Sequence, residues 1–284
     1  MDQSLAKQLR DKRNLSKCGG VSHCQAKFQK NKSRVKQIMQ NLKKMHRFYC
    51  PEKIALKTTC CLPQSSIHKA KNVLRLKVGD KIQIFEGDGK LYEANIEEID
   101  KHNFKAKIVE MIPSRPESGI KIFLAQSIVR MDLMDLIIQK SVELGVTEII
   151  PIATQRTIPG YEKKSQKKQQ HWHYVATAAC EQCLRDFIPK IHDPIGLHEW
   201  VSNLKQGTGQ KIVFDPSATP RLRSFPINKK VTMLIGPEAG LTSQEISFCE
   251  KLGFTSLNLG PRILRTETAG LAAISAIHGI WGDF

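Results

Sequence analysis

From residue 120 to the C-terminus the chain alternates short apolar runs with segments of helical period, and this alternation limits its fold more than any other feature. Residues 120–128 read as a strand. Residues 131–144 place Leu133, Met134, Ile137, Ile138 and Val142 near a 3.6-residue repeat and stop at Gly145, the pattern of an amphipathic helix. Further strands are expected over 146–150, 211–215, 231–235 and 257–259. Helices are expected over 167–187, near 197–204, and over 266–280. Thr242-Ser243-Gln244-Glu245 spells a capping box and opens one more helix, which ends at Gly253. Strands that are mostly apolar, rather than alternating with polar residues, are those buried on both sides. Interleaved with helices, they predict an α/β fold with a parallel sheet covered on both faces.

The preceding segment follows a different rule. Between residues 45 and 112 the dominant period is two. Lys81-Ile82-Gln83-Ile84-Phe85-Glu86 alternates in part, and Gly87-Asp88-Gly89 turns the chain. Residues 91–99 and 104–112 then form two further strands about a turn at Lys101-His102-Asn103. Residues 65–76 read as one short helix carrying His68, Lys69, Lys71 and Arg75. Short strands around one helix predict a small β-barrel. Pro113-Ser114-Arg115-Pro116-Glu117-Ser118-Gly119 has the composition of a linker. The expected domains are therefore a basic extension over 1–44, a barrel over 45–116 and an α/β domain over 117–284.

Charge bears on partners. There are 44 Lys and Arg against 27 Asp and Glu, a formal +17, which favours polyanions such as nucleic acid. The excess is uneven, since residues 1–44 hold twelve Lys or Arg against only Asp2 and Asp11. With few large apolar residues and a Cys18-Gly19-Gly20 stretch, this segment is expected to be a solvated arm, or sequence upstream of a start at Met45. No apolar run reaches the roughly 18 residues needed to span a bilayer, and no signal-peptide core is visible. A cytoplasmic protein, off the membrane, is the expectation. The eight scattered cysteines suit a reducing compartment. Cys180-Glu181-Gln182-Cys183 sits inside a helical pattern with no second pair to complete a zinc site, so no metal is expected.

The standard phosphate loops are missing: neither G-x-G-x-x-G after a strand nor G-x-x-x-x-G-K-[ST] occurs. Two segments stand out instead. Leu234-Ile235-Gly236-Pro237-Glu238-Ala239-Gly240-Leu241 ends a buried strand just before the capped helix. Leu259-Gly260-Pro261-Arg262-Ile263-Leu264-Arg265-Thr266-Glu267-Thr268-Ala269 ends the next strand and opens the last helix. In open α/β sheets, ligands bind beyond the carboxyl ends of strands. Gly and Pro there fix tight backbone that can expose N–H and C=O groups. Either segment alone reads equally well as a plain βα turn; two at successive strand ends point to a site.

These segments, with Val73-Leu74-Arg75-Leu76, Gly79-Asp80, Gln139-Lys140, Glu143-Leu144-Gly145-Val146 and Glu181-Gln182 with Arg185, resemble the RsmE-type ribosomal RNA small-subunit methyltransferases of the SPOUT class, over residues 45–284. The resemblance implies an N-terminal PUA-like barrel for RNA and a C-terminal α/β domain with a trefoil knot. It implies S-adenosylmethionine bound in the knot loops of a homodimer, and methylation of N3 of one uridine in 16S rRNA or the small ribosomal subunit. Two spellings depart from the family. Ala239 stands where GPEGG has a Gly, which would strain a left-handed backbone by roughly 1–2 kcal/mol. Gln182-Cys183-Leu184-Arg185 stands for Gln-Ser-x-Arg.

On that resemblance the cofactor would be held by Leu234, Ile235, Gly236, Glu238, Gly240, Leu259, Gly260, Ile263, Leu264, Thr268 and Ala269, mainly through backbone. N3 of uridine must lose a proton and sits on the Watson–Crick edge, so the base must be unpaired or flipped. Glu267 is then a candidate base or ribose contact, or simply a charge at the N-terminus of the last helix. Arg262 and Arg265 would hold phosphate or stabilise the uracil anion. Arg47, His68, Lys69, Lys71 and Arg75 form a candidate RNA face on the barrel. Phe48 and Tyr49 are stacking candidates, though such aromatics more often belong to the core. Arg130, Arg156 and Arg185 are further RNA candidates near the cleft, while Lys163, Lys164, Lys167 and Lys168 read as a solvated basic loop. Two alternatives stay open: a related knotted methyltransferase on another RNA or a ribose hydroxyl, and a non-catalytic RNA-binding assembly factor.

Overall fold

A computed structural model describes residues 45–157, 165–204 and 209–284. The expected basic extension and Lys163-Lys164 lie outside the described residues.

The first domain is a five-stranded sheet. Strands β1 (Arg47–Tyr49), β2 (Thr59–Cys61), β3 (Lys81–Phe85), β4 (Leu91–Ile99) and β5 (Phe104–Ile112) lie in the order β1-β3-β4-β5-β2. β1 runs parallel to β3 and the other pairs are antiparallel. Period-two alternation sends Ile82, Ile84, Ala94, Ile96, Phe104 and Ile108 into a core with Phe48, which stacks edge-on against Phe104. Each isoleucine or phenylalanine there contributes about 1.5–3 kcal/mol by leaving water. The helix expected over 65–76 is split into α1 (Gln64–His68) and a π turn (Lys69–Val73). It ends where Arg75 takes a left-handed backbone, φ 55°. Ile67 and Ala70 seal it onto the sheet core.

The second domain is a parallel sheet. Its strands are β6 (Lys121–Ser127), β7 (Glu148–Ala153), β8 (Lys190–Ile191), β9 (Ile195–Gly196), β10 (Gln210–Phe214), β11 (Lys230–Ile235) and β12 (Thr255–Leu257). They run β12-β10-β11-β6-β7-β8, with β9 also on β7. Alternate residues serve opposite faces. Ile122 and Leu124 of β6, with Val231, Met233 and Ile235 of β11, meet α2 (Met131–Glu143), α3 (Ser165–Cys183) and α6 (Thr266–Trp281). Ala125, Ile152, Val213 and Leu234 meet the other face, under α4 (Leu197–Ser202) and α5 (Ser243–Lys251). Two covered faces account for the apolar strands.

Several expected boundaries move for local reasons. The long helix ends at Cys183, before Leu184 with φ 67°. The last strand lies two residues earlier than expected: Leu257 is its final residue paired with β10, and the Asn258 side chain accepts the Gly260 N–H (3.1 Å) to begin a turn. The capping box forms as spelled, with the Glu245 N–H on Thr242 Oγ1 (3.2 Å) and the Thr242 N–H on the Glu245 carboxylate (2.8 Å). The six described cysteines are all free, and Cys180 and Cys183 lie within α3 as expected.

Residues from Arg47 onward form one compact unit in which buried charge joins the domains. Arg47 pairs with Asp186 (2.8 Å) and donates to Gln83 Oε1 (3.2 Å), and both ionic side chains are almost fully buried. Burial pushes the guanidinium down and the carboxyl up, while their mutual attraction opposes both shifts. Glu181 on α3 accepts the Tyr49 N–H (3.0 Å) and Lys69 Nζ (2.5 Å). Among the described helices none is long and apolar enough to cross a membrane.

Candidate functional site

The carboxyl ends of β10, β11 and β12 converge, and the loops leaving them enclose a cavity of about 300 Å³. That is the low end of the range for small-molecule sites. The β11 loop contributes Ile235, Gly236, Glu238 and Gly240. The β12 loop contributes Leu259, Gly260, Arg262, Ile263 and Leu264, and Ala269 closes the floor from α6. Leu234 is buried in the sheet on the opposite face, and Thr268 is exposed; neither lines the cavity.

Backbone geometry explains the two glycines that matter most. Gly240 has φ +71° and Gly260 φ +130°, conformations that L side chains rarely adopt, and at each the Cβ position faces open space. At both, open space stands where a side chain would lie, while the Gly240 N–H bonds the Pro237 carbonyl and the Gly260 N–H the Asn258 side chain. Ala239 does not take a positive φ, so the departure from GPEGG carries no left-handed strain. The left-handed residue is Gly240.

A buried relay fixes the two loops to each other. Thr266 donates from Oγ1 to the Gly236 carbonyl (2.6 Å) and accepts from Gln126 Nε2 (3.0 Å), which also donates to the Ser127 carbonyl (3.2 Å). Gln126 and Thr266 are buried. From the other side, Arg156 after β7 donates to the Ala239 carbonyl (2.5 Å), and the Gln155 N–H reaches Glu245 of the capping box (2.8 Å). Four strand ends therefore hold one loop.

The polar groups sit at the rim. Arg262 lines the cavity; Arg265 precedes α6 with its side chain 87% exposed. Glu267, in the first turn of α6, is only 13% exposed and stands 4.0 Å from Arg265. Such a carboxylate is favoured by the helix dipole and keeps one edge open. Arg130, following β6, is exposed and pairs with Asp132 (3.2 Å), so it joins Arg156 and Arg265 at the carboxyl edge of the sheet.

Other candidates lie elsewhere. Arg47 offers no surface to RNA, because its buried guanidinium holds Asp186 and Gln83. Arg185 is 10% exposed and donates to the Val142 and Val146 carbonyls (2.9 and 3.1 Å) and to Glu117, which ties the linker to α2. Both are corrected from RNA contacts to internal braces. Phe48 is core, as its type suggests, and Tyr49 is half-buried. His68 and Arg75 remain accessible around α1, and Lys69 and Lys71 are partly so.

Sequence reasoning missed the third wall. Phe214, Asp215 and Pro216, leaving β10, line the same cavity, with Asn258 and Thr266. Their signal was a strand end with Asp-Pro, weaker than Gly-Pro. Asn258 ties that wall to the next, donating to the Ala218 carbonyl while accepting from the Gly260 N–H.

Comparison with known proteins places this geometry in a family. Residues 116–278 match the model of an RNA methyltransferase domain, and residues 67–109 that of an RNA methyltransferase PUA domain. The ribosomal RNA small subunit methyltransferase E of Buchnera aphidicola (subsp. Acyrthosiphon pisum) is 36% identical over 247 residues, 85% of this chain and 96% of the relative. That of Bacillus subtilis is 28% identical over 228 residues, 77% of this chain and 89% of its own. The crystal structure of a ribosomal RNA small subunit methyltransferase E from Neisseria gonorrhoeae bound to S-adenosyl methionine superposes with a TM-score of 0.78 at 36% identity, covering 84% of this chain and 99% of that one. A putative methyltransferase from Legionella pneumophila, in complex with the same cofactor, gives 0.80 at 34% identity, covering 85% of this chain and all of that one.

Proposed function

Because the chain belongs to the RNA methyltransferase family, among the ribosomal RNA small subunit methyltransferases E, we propose that it methylates N3 of one uridine in 16S rRNA. It is an S-adenosylmethionine-dependent methyltransferase of small-subunit rRNA, with a PUA-like domain and a SPOUT-type α/β domain. The observation that carries the site assignment is the cavity at three converging strand ends, with open space in place of a side chain at Gly240 and Gly260. That cradle fits the cofactor: its backbone donors and acceptors suit a nucleoside, and its Ile235, Leu259 and Leu264 walls suit an adenine ring.

S-adenosylmethionine supplies an electrophilic methyl on a sulfonium. The chain's own residues do the rest. The Gln126–Thr266–Gly236 relay sets the spacing of the two loops, so methyl donor and acceptor are aligned by a rigid frame. Arg265 stabilises negative charge on the uracil as N3 loses its proton, and Arg262 holds a phosphate beside it. Glu267, partly shielded at the first turn of α6, accepts that proton or orients the ribose. Arg130 and Arg156 hold the RNA backbone along the carboxyl edge, while His68, Lys71 and Arg75 hold it at the PUA-like domain. The trefoil knot, the homodimer and work in the cytoplasm on rRNA or the small subunit complete the reading.

Equilibrium binding of S-adenosylmethionine and transfer of its labelled methyl to unmodified small subunits or naked rRNA test this. Binding with transfer is expected. Absence of binding would leave a silent assembly factor instead.

A further inference from the structure

Away from the cofactor cavity, a second cavity of about 400 Å³ opens where the PUA-like domain meets α3. Tyr49, Ser66 and Lys69 line it from the first domain, and His173, Tyr174 and Glu181 from the second. Nothing in the catalytic reading uses it.

Its walls have the chemistry of a nucleobase site. The Tyr174 ring is 58% exposed midway along α3, although large aromatic rings are usually covered. His173 stands beside it, edge-on to Tyr49 at 6.2 Å. Burial pushes the His173 imidazole below its ordinary value, so near pH 7 it is a neutral ring. Glu181 would repel an anion if its charge were open. It is instead largely buried, one oxygen taking the Tyr49 N–H and the other Lys69 Nζ. Lys69 remains 43% exposed.

The cavity also runs along a stripe, lined by four of its five residues and leaving only Lys167 beyond it. At 100° per residue, Lys167, Gln170, Tyr174, Thr177 and Glu181 fall on one side of α3. The helix follows β7 and so starts on the side of the sheet that holds the cofactor cavity; its far end meets β1. From Lys167 to Glu181 the rise is about 21 Å, room for three or four nucleotides.

We propose that this cavity receives an unpaired base of the rRNA substrate, stacked on Tyr174, with Lys69 and Lys167 holding the phosphates on either side. The inference rests on the rRNA methyltransferase reading and adds a second contact to it. The site takes single-stranded RNA rather than duplex, because a ring face can be met only by a base out of its helix. Sequence preference there is weak, since every base has a ring face.

The test uses the full chain and a fluorescein-labelled oligonucleotide of eight uridines, with an eight-base-pair RNA duplex as control. Tyr174→Ala is expected to weaken the single strand about tenfold and the duplex little. Tyr174→Phe restores binding, because stacking uses the ring and not the hydroxyl. Both variants keep wild-type affinity for S-adenosylmethionine, which certifies the fold. Equal single-strand affinity for wild type and Tyr174→Ala overturns the inference. So does failure of Tyr174→Phe to rescue, and so does a change of oligomeric state with RNA affinity intact, which would make this face a protein contact. Failure of the underlying reading looks different: wild type would transfer no methyl to small subunits, whatever stands at position 174.

Discussion

At the scale of single residues, the site depends on a few polar atoms in apolar surroundings. Thr266 has one hydroxyl proton and gives it to the Gly236 carbonyl, so it can only accept from Gln126. Thr266→Val removes that hydroxyl and leaves the Gly236 carbonyl and one of the two Gln126 amide N–H groups without a partner, a loss of about 1–3 kcal/mol. Calorimetry should show weaker S-adenosylmethionine binding, and Thr266→Ser should recover it. Unchanged affinity in the valine variant would dismiss the relay. Arg265 is the opposite case. Its side chain is solvated and, among the described residues, pairs with Glu267 alone, at 4.0 Å. Arg265→Ala is expected to lower turnover on the order of 100-fold, with the unfolding midpoint unmoved. A fall in stability to match would reassign Arg265 to structure.

At the scale of elements, the buried pair between β1 and the segment after α3 decides how firmly the domains are joined. Removing one partner of a buried ion pair costs about 3–5 kcal/mol, because the other is left uncompensated. Arg47→Met should cost about that in denaturant melts. Adding Asp186→Asn, which still accepts the Arg115 N–H, should recover most of it. The last helix carries a pH response. His278 of α6 is buried, its Nδ1 near Ser118 and Asp283, with Arg185 and Glu117 close by. Burial pushes its imidazole below the ordinary value near 6.5, Asp283 opposing. The unfolded chain therefore binds this proton more readily than the folded one. The stability is present above about pH 6.5 and is lost as pH falls through the lower folded value. His278→Gln should flatten that slope in melts between pH 7 and 5. The same elements show what a sequence displays. Long apolar strands and the Thr242 capping box were legible because each signal is local. β1, β2, β8 and β9, at two or three residues, are too short to show a period. Arg47 read as an RNA contact because its partner, Asp186, lies far along the chain. The cavity's β10 wall was hidden for the same reason: convergence of strand ends belongs to the sheet order, and β11 lies between β10 and β6.

At the scale of the whole molecule, charge and topology divide the work. The twelve Lys and Arg of residues 1–44 stand outside the matched family regions, which span 67–109 and 116–278. Deleting 1–44 is expected to lower affinity for RNA of any sequence and flatten its dependence on salt, while methyl transfer survives. Loss of transfer on deletion would make the segment part of the enzyme. What remains is a PUA-like domain and a methyltransferase sheet braced by buried charge, with arginines along one edge of the sheet and the cavity proposed for the cofactor behind them. The central claim is that this assembly puts a methyl on a base, at N3 of a uridine in small-subunit rRNA. Mass spectrometry of nuclease digests from small subunits treated with enzyme and isotope-labelled S-adenosylmethionine tests it most directly. The account predicts label at one uridine, on the base, at N3, and almost none with Arg265→Ala. Label on a ribose hydroxyl, or on many uridines without preference, would contradict it.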